Sequence, residues 1–364
     1  MSFQSLIEKG EVVDFPILQL ALAAIKGRAD RISVRSRGFG GGEKEDVPLL
    51  DLTGPPSRFR VHVQNDDKEY LDWLNSALLC SGLVEPAGLS ALVRRLADHQ
   101  DVVLGIDTNV LYACILGEHL LDEFARVHVR PYRESVNWIL LVIPGVVMKE
   151  IENAANQKKG GHLTHVGRRG YRALQEITNL NRAEGFQGLS VLVAGETNPH
   201  QLQLSADGMT ILNADSMIRD QLKAFLRGIE FRKGVFFLTM DKTNASLAAA
   251  EGLAALRVQH PPRLRKGATI DMPRDESILL ARVLYELAVE FGIVRVTWND
   301  GQEHHLDLDG GWSWKSMEHW DAWQLLVADI DPGFHKALAR YVGGRFDAKR
   351  IQREWERLVE DLAE

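Results

Sequence analysis

The middle of the chain alternates short apolar runs with segments of helical character, and this alternation restricts the fold more than any other feature. Residues 102–106 and 138–143 are continuously apolar, as expected for strands buried on both faces of a parallel sheet. Similar runs are found at 189–193, 235–238 and 256–258. Because strands that alternate with helices build parallel sheets covered by helices, the sequence predicts an α/β domain here.

The segments between these runs carry the start and stop signals of helices. A helix is predicted over residues 109–126, and Pro144 is suited to open a second one because proline favours the first turn. Asn213 is predicted to cap a third helix over 215–226. A fourth helix, after the run 235–238, is expected to stop at Gly252.

The length of 364 residues exceeds what one compact core usually holds, so we expect more than one unit. Residues 1–99 are predicted to be mainly helical, with a Gly-rich loop at 35–46. Residues 100–262 form the predicted α/β domain. Residues 263–364 are expected to form a small α+β domain, because a helical stripe over 277–290 is followed by an alternating, strand-like segment.

Charge and cysteine content narrow the classes of function. With 43 basic and 50 acidic residues the net charge is −7, which argues against coating nucleic acid by bulk charge. Cys80 and Cys114 both lie in apolar surroundings, so they favour buried thiols in a reducing compartment over a disulfide framework or a zinc site. No apolar run of 18 residues and no signal peptide is apparent. A cytoplasmic protein without a membrane partner is therefore predicted.

Acidic residues stand at the positions where a parallel α/β sheet builds its sites. Asp107 and Asp241 directly follow apolar runs, and the carboxyl ends of parallel strands meet at one edge of the sheet. Glu150 lies in the helix after the second run, and Asp215 opens a later helix. Oxygen ligands suit hard divalent cations, and clustered carboxylates are costly unless a cation neutralises them. The four residues together predict a metal centre that activates water.

Taken singly, each of these residues has an ordinary structural interpretation. Asp107 is equally suited to cap a helix, Asp215 to favour a helix N-terminus by its charge, and Glu150 to lie in solvent. Asp241 fits a turn. Asp220 competes with Asp215, but five residues along a helix point it in another direction. Only the order of the four and their strand–helix context favour a common site.

Four segments resemble, in the same order, the acidic motifs of the PIN-domain nucleases. They are residues 106–111 (IDTNVL), 143–151 (IPGVVMKEI), 214–220 (ADSMIRD) and 237–250 (FLTMDKTNASLAAA). The first and fourth are the more specific, and the resemblance covers roughly 160 residues. It implies a PIN-like three-layer fold with a central parallel sheet, flanked by the helical N-terminal region and the small α+β C-terminal region.

The resemblance also implies roles for individual residues. The catalytic and metal-binding set becomes Asp107, Glu150, Asp215 and Asp241, with Asp107 as the central ligand of Mg²⁺ or Mn²⁺. Thr108 or Asn109 would organise the turn, Thr239 would contact a ligand, water or phosphate, and Asp220 remains a neighbouring candidate. The activity implied is hydrolysis of phosphodiester bonds by a metal-activated water. Family members act mostly on RNA, commonly as endonucleases, so RNA is the expected partner ahead of DNA.

A basic stretch between the second and third acidic motifs is a candidate nucleic-acid contact. It carries Lys158, Lys159, Arg168, Arg169 and Arg172, which suit binding to the phosphate backbone without sequence selection. A solvated, charged helix explains the same residues equally well, and the sequence leaves both interpretations open.

Two other functions compete with the nuclease. One is a catalytically inactive PIN-like scaffold that binds RNA or a protein partner. The other is a phosphatase with Asp107 as covalent nucleophile, but such enzymes usually carry a second Asp two residues later, where this chain has Asn109. The natural substrate and the oligomeric state, a homo-oligomer included, are left open by the sequence.

Overall fold

The computed structural model describes residues 9–14, 18–19, 21–22, 29, 31–37, 46–54, 59–99, 101–121, 138–160, 162–182, 189–194, 214–227, 234–272, 276–299, 303–311 and 324–331. Its strands are β1 (Val12–Asp14), β2 (Arg31–Ser36), β3 (Val47–Thr53), β4 (Arg60–Val63), β5 (Asp101–Ile106), β6 (Trp138–Pro144), β7 (Lys158–Lys159), β8 (His162–Leu163), β9 (Leu189–Ala194), β10 (Val235–Thr239), β11 (Ala255–Arg257), β12 (Thr269–Asp271), β13 (Ile293–Asn299), β14 (Glu303–Asp309) and β15 (Gln324–Ile330). Its α-helices are α1 (Lys68–Cys80), α2 (Leu89–Ala97), α3 (Thr108–Tyr112), α4 (Gly145–Ala155), α5 (His165–Arg182), α6 (Ala214–Arg227), α7 (Lys242–Ala250) and α8 (Glu276–Phe291).

The chain divides into two compact units, each built from separate stretches of sequence. The parallel-sheet unit comprises Glu85–Gln157 and Gly170–Pro261. The flanking unit comprises Met1–Val84, Lys158–Arg169 and Pro262–Glu364. The three consecutive regions expected from the sequence therefore differ from this division, because the N- and C-terminal stretches belong to one unit.

The parallel-sheet unit contains the predicted α/β fold. Within the described residues its sheet has the strand order β11-β10-β5-β6-β9, and every pairing is parallel. β5 lies in the centre, and Val102, Val103 and Leu104 on it are fully buried. Continuous apolar runs form these strands because helices shield the sheet from water, so alternate residues do not face solvent. The predicted central parallel sheet is confirmed.

Local signals place the helices that carry the candidate site. Pro144 stands directly before the first residue of α4, without a side-chain capping bond, so the helix opens where this proline predicted it. Asp241 caps α7 with its side chain. α6 packs closely on β5, where a Cβ at Gly105 would lie only 2.4 Å from the Leu222 side chain. Glycine at position 105 thus allows α6, which carries Asp215, to approach the central strand.

The helix predicted over 109–126 is shorter than expected. α3 ends at Tyr112, Cys114 takes a left-handed backbone angle of φ 50°, and a π-helix follows over Leu116–Leu121. A non-glycine residue in this region of backbone angles cannot continue an α-helix. Residues 122–137 lie outside the described part of the chain, as does the predicted cap Asn213.

The flanking unit is built on an antiparallel sheet. Within the described residues its strand order is β1-β15-β14-β13-β2-β3-β4-β12, and all seven pairings are antiparallel. The central pairing joins β2, near the N-terminus, to β13, near the C-terminus. Residues of α1 and α8 complete the buried core with this sheet.

The prediction of a mainly helical N-terminal region is wrong, since β1 to β4 fall within its first 63 residues. Ile32, Val34 and Ser36 on β2 are buried while the residues between them are more exposed, the alternation of a strand with one covered face. The strand is short and has only two buried apolar residues, Ile32 and Val34, and β2 pairs with a strand more than 250 residues away. Residues 38–45 of the Gly-rich loop lie outside the described ones.

No helix among the described residues is long and apolar enough to span a membrane.

Candidate active site

Asp107 stands at the carboxyl end of the central strand β5, and its side chain is held by hydrogen bonds from three directions. Asn109 Nδ2 donates at 3.0 Å, Thr239 Oγ1 at 2.5 Å and Asn244 Nδ2 at 2.8 Å. The residue is 2% exposed. It occupies the cap position of α3 but makes no side-chain capping bond, so the capping interpretation of Asp107 is wrong.

All three donors reach the same oxygen of Asp107. Each bond ends on Oδ2, and among the described residues no hydrogen bond is formed by Oδ1. A carboxylate oxygen that accepts several hydrogen bonds is fixed in orientation. One oxygen of Asp107 is therefore anchored by the protein, and the other remains available to a ligand.

Glu150 projects from α4, the helix that follows the neighbouring strand β6. Thr108 Oγ1 donates a hydrogen bond to Glu150 Oε2, which ties this helix to the turn after β5. Burial raises the pKa of Glu150, the bond from Thr108 opposes that shift, and the charges of Asp107 and Asp215 add to it. Glu150 is thus not a solvated helix residue, because its carboxyl senses the other acidic groups.

Asp215 lies in the first turn of α6 and faces the same group of carboxylates. Burial raises its pKa, and the negative charges of Asp107 and Asp241 raise it further, while Arg219 acts in the opposite direction. Interactions of this kind require short distances between the groups. The structure therefore brings Asp107, Glu150, Asp215 and Asp241 into one neighbourhood.

Asp241 is the most exposed member of this group and has a structural role as well. Its Oδ1 accepts hydrogen bonds from the backbone N–H groups of Thr243 at 2.5 Å and Asn244 at 2.9 Å, so it caps α7. Its own N–H donates to Thr239 Oγ1 at 3.0 Å. Oδ2 of Asp241 takes no part in the cap.

Thr239 and Asn109 form a buried scaffold behind Asp107. Thr239 is fully buried, and its hydroxyl donates to Asp107 and accepts from the Asp241 N–H. The expected contact of Thr239 with a ligand, water or phosphate stays a prediction. Asn109 donates to Asp107 and accepts from the Met240 N–H at 2.9 Å. Asn109 thereby joins the ends of β5 and β10, in keeping with the predicted organisation of the turn.

Asp220 stands outside this group. Its side chain is 74% exposed and pairs with Lys223 at 3.4 Å on the same helix. Five residues along α6 turn it away from Asp215, as helical geometry requires.

Two arginines of the basic stretch, Arg168 and Arg172, are buried in the fold, so their predicted role as nucleic-acid contacts is wrong. Arg168 donates to the backbone carbonyls of Val289 at 2.5 Å, Glu290 at 2.9 Å and Leu163 at 3.2 Å, and its burial lowers its pKa to about 10. Arg172 is 2% exposed and donates to the carbonyl of Tyr112.

The three other basic residues of the stretch are more exposed than Arg168 and Arg172. Arg169 pairs with the buried Glu290 at 3.5 Å. Lys158 and Lys159 are exposed on the short strand β7. Lys158, Lys159 and Arg169, whose side chain is 34% exposed, keep the solvent access that a phosphate contact needs.

Sequence reasoning missed two residues beside this group: Asn244, which bonds to Asp107, and Arg219, which bonds to Asn244. Asn244 lies three positions after Asp241 within the fourth motif, and Arg219 lies four positions after Asp215, one helical turn away. A charged residue between the buried Ile218 and Leu222 is the one signal that marks Arg219, and an Asn in a helix has no distinct signal.

The donor types of this group fit a hard divalent cation. All four side chains offer carboxylate oxygens. Burial raises the pKa of Glu150 and Asp215, the charges of nearby carboxylates raise it further, and a bound cation offsets both effects by favouring the ionised forms. No three His, Cys, Asp or Glu residues in the described part of the chain already stand in metal-binding geometry. The fit of these residues to a metal therefore rests on the chemistry of their donor atoms.

One family of known proteins matches the part of the chain that holds this site. No curated protein matches the chain. A solved structure described as a domain of a functionally unknown protein from Methanocaldococcus jannaschii DSM 2661 is 20% identical, covers 45% of this chain and 95% of its own, and has a TM-score of 0.31. The model of the PIN domain matches residues 105–259, the stretch that holds all four acidic residues. Residues 105–259 of this chain therefore form a domain of the PIN family.

Proposed function

We propose that the PIN domain of this protein is a divalent-metal-dependent nuclease that hydrolyses phosphodiester bonds. The family assignment supports a nuclease-type fold. The observation that carries the proposal is the convergence of carboxylates from the ends of β5, α4, α6 and the start of α7. Burial raises the pKa of two of them, Glu150 and Asp215, and the negative charges of neighbouring carboxylates raise it further. Such repulsion is unfavourable for a fold alone, so it favours a site built to bind a cation.

In this proposal Asp107, Glu150, Asp215 and Asp241 hold Mg²⁺ or Mn²⁺. A bound divalent ion supplies a water of lowered pKa and neutralises charge on the phosphate. The residues of the chain position the ligands: Thr239, Asn109 and Asn244 fix Oδ2 of Asp107, and Thr108 fixes Oε2 of Glu150. Preorganised ligands of this kind need little rearrangement during the reaction.

RNA is the proposed substrate, cut internally. The family resemblance favours RNA, and the exposed Lys158 and Lys159 remain candidates for contacts to its backbone. Their contribution would be electrostatic and independent of sequence, because backbone contacts carry no base information.

A second candidate is a PIN-like scaffold without catalytic activity. The absence of a ready-made metal-binding group among the described residues favours it. A scaffold gains nothing from four mutually repelling carboxylates, however, and it predicts that neutralising any one of them leaves nucleic-acid or protein binding unchanged.

The test is cleavage of labelled single-stranded RNA, hairpin RNA and single-stranded DNA with Mn²⁺, Mg²⁺ or EDTA. Asp215→Asn is compared with Asp220→Asn, the same change on the exposed side of the same helix. We expect metal-dependent cleavage that is lost in Asp215→Asn and kept in Asp220→Asn. Analysis of the product ends separates phosphodiester hydrolysis from removal of a terminal phosphate. A wild type that binds RNA but does not cleave it with either metal would support the scaffold.

A further inference from the structure

Arg219 is a buried cation on α6, one turn after Asp215, and its guanidinium joins two helices. Its side chain is 3% exposed. One nitrogen donates to Oδ1 of Asn244, near the start of α7, and another donates at 3.0 Å to Glu251, which caps the end of α7. A third donates at 3.2 Å to Ser216 on α6 itself. Every nitrogen of the guanidinium therefore has a defined partner.

The contact with Arg219 determines which way the Asn244 amide points. A guanidinium only donates hydrogen bonds, so the group that faces it must be the carbonyl end of the amide. The opposite end, Nδ2, then faces Asp107 and donates to Oδ2 at 2.8 Å. In the flipped orientation a carbonyl would face the carboxylate and an NH₂ group would face the guanidinium, and both contacts are repulsive.

We propose that Arg219 and Asn244 are positioning residues of the metal centre: Arg219 orients the Asn244 amide, and Asn244 holds Oδ2 of Asp107 so that Oδ1 is presented to the metal. This inference rests on the proposed function. In this proposal Arg219 contacts neither the metal nor the substrate. It affects the metal affinity through the side-chain amide of Asn244.

A purely structural role for Arg219 makes a different prediction. Arg219 also bridges α6 to α7 through Glu251, and Lys223 forms an ion pair with the same carboxylate. If the bridge alone mattered, loss of Arg219 would lower stability and leave metal affinity unchanged. Lys223→Met is thus the matched control, because it removes a cation from the bridge and leaves the Asn244 contact intact.

The experiment measures Mn²⁺ affinity by calorimetry for the full-length chain and its variants. Arg219→Met and Asn244→Leu are each expected to weaken binding by about 10- to 100-fold, as is typical for residues that orient metal ligands. The double variant should bind Mn²⁺ as weakly as Asn244→Leu, within about threefold, because Arg219 acts through Asn244. Lys223→Met should stay within about twofold of the wild type.

Arg219→Lys keeps a donor for Asn244 and should recover part of the affinity lost in Arg219→Met. If Arg219→Met does not fold, Arg219→Lys and Asn244→Leu provide the test. Wild-type affinity in Asn244→Leu would overturn the proposal, and so would losses that multiply in the double variant. If the wild type binds no Mn²⁺, the proposed function itself is refuted. If the wild type binds Mn²⁺ and Arg219→Met binds it with the same affinity, only this inference is refuted.

Discussion

Replacement of Thr239 by valine removes one buried hydroxyl at the centre of the acidic group while preserving its shape. That hydroxyl donates to Asp107 Oδ2 and accepts from the N–H of Asp241. A hydrogen bond to a charged group contributes about 1.5–3 kcal/mol and a neutral one about 1 kcal/mol. Since Thr239 is fully buried, water cannot replace the hydroxyl, and we expect Thr239→Val to lose about 2–4 kcal/mol of stability.

The assay must report on the parallel-sheet unit alone, because a chain with two units need not unfold in one step. Hydrogen exchange of the backbone amides in β5 and β10, measured in EDTA, gives the free energy of opening for these strands. Thr239→Ser is the matched control, since it keeps the hydroxyl and loses only a methyl group. A loss below about 0.5 kcal/mol in Thr239→Val, or an equal loss in Thr239→Ser, would refute the role given to this hydroxyl.

Three further results are expected. The pKa values of Glu150 and Asp215 are raised above their ordinary values of 4.5 and 3.8. Protonation of these two carboxyls therefore stabilises the metal-free fold at low pH, and this stabilisation is lost as the pH rises through the raised pKa values. Metal must displace those protons, so Mn²⁺ affinity measured by calorimetry should increase with pH above 4.5, and a flat profile would contradict the shifts. Gly105→Ala should lower stability by about 1–3 kcal/mol, measured by hydrogen exchange in β5, because the added methyl group crowds Leu222. The double variant with Leu222→Ala should lose less stability than the sum of the two single losses, and additive losses would exclude the contact. Arg168→Met should cost about 3 kcal/mol or more, measured by exchange in α8, because three carbonyl groups lose their donor, and an unchanged α8 would show that this arginine is dispensable.

The parallel sheet was predictable because its signal is local. Each strand is a continuous apolar run, and Asp107 and Asp241 follow such runs directly, so topology alone places them at one edge of the sheet. Glu150 and Asp215 were predicted from the resemblance to the PIN family. They lie on helices, and the topology of the sheet does not by itself place them at the edge where the strands end. The structure places all four in one neighbourhood, although their role as metal ligands stays a prediction.

What the sequence did not indicate depends on contacts between distant segments. β2 lies between β3 and β13, and its pairing with β13 joins segments more than 250 residues apart in the sequence. Arg168 looks like a surface cation until its three carbonyl partners are known. The roles inferred for Asn244 and Arg219 depend on their contact, because the Arg219 side chain determines the orientation of the Asn244 amide.

The most direct test of the account is anomalous diffraction from crystals of the wild-type protein and of Asp107→Asn, both soaked in Mn²⁺. The account predicts an anomalous peak beside Oδ1 of Asp107, among the carboxylates of Glu150, Asp215 and Asp241, and its loss in Asp107→Asn with the sheet unchanged. Peaks found only elsewhere in the wild type, or a peak in this place that survives Asp107→Asn, would contradict a metal centre held by these residues.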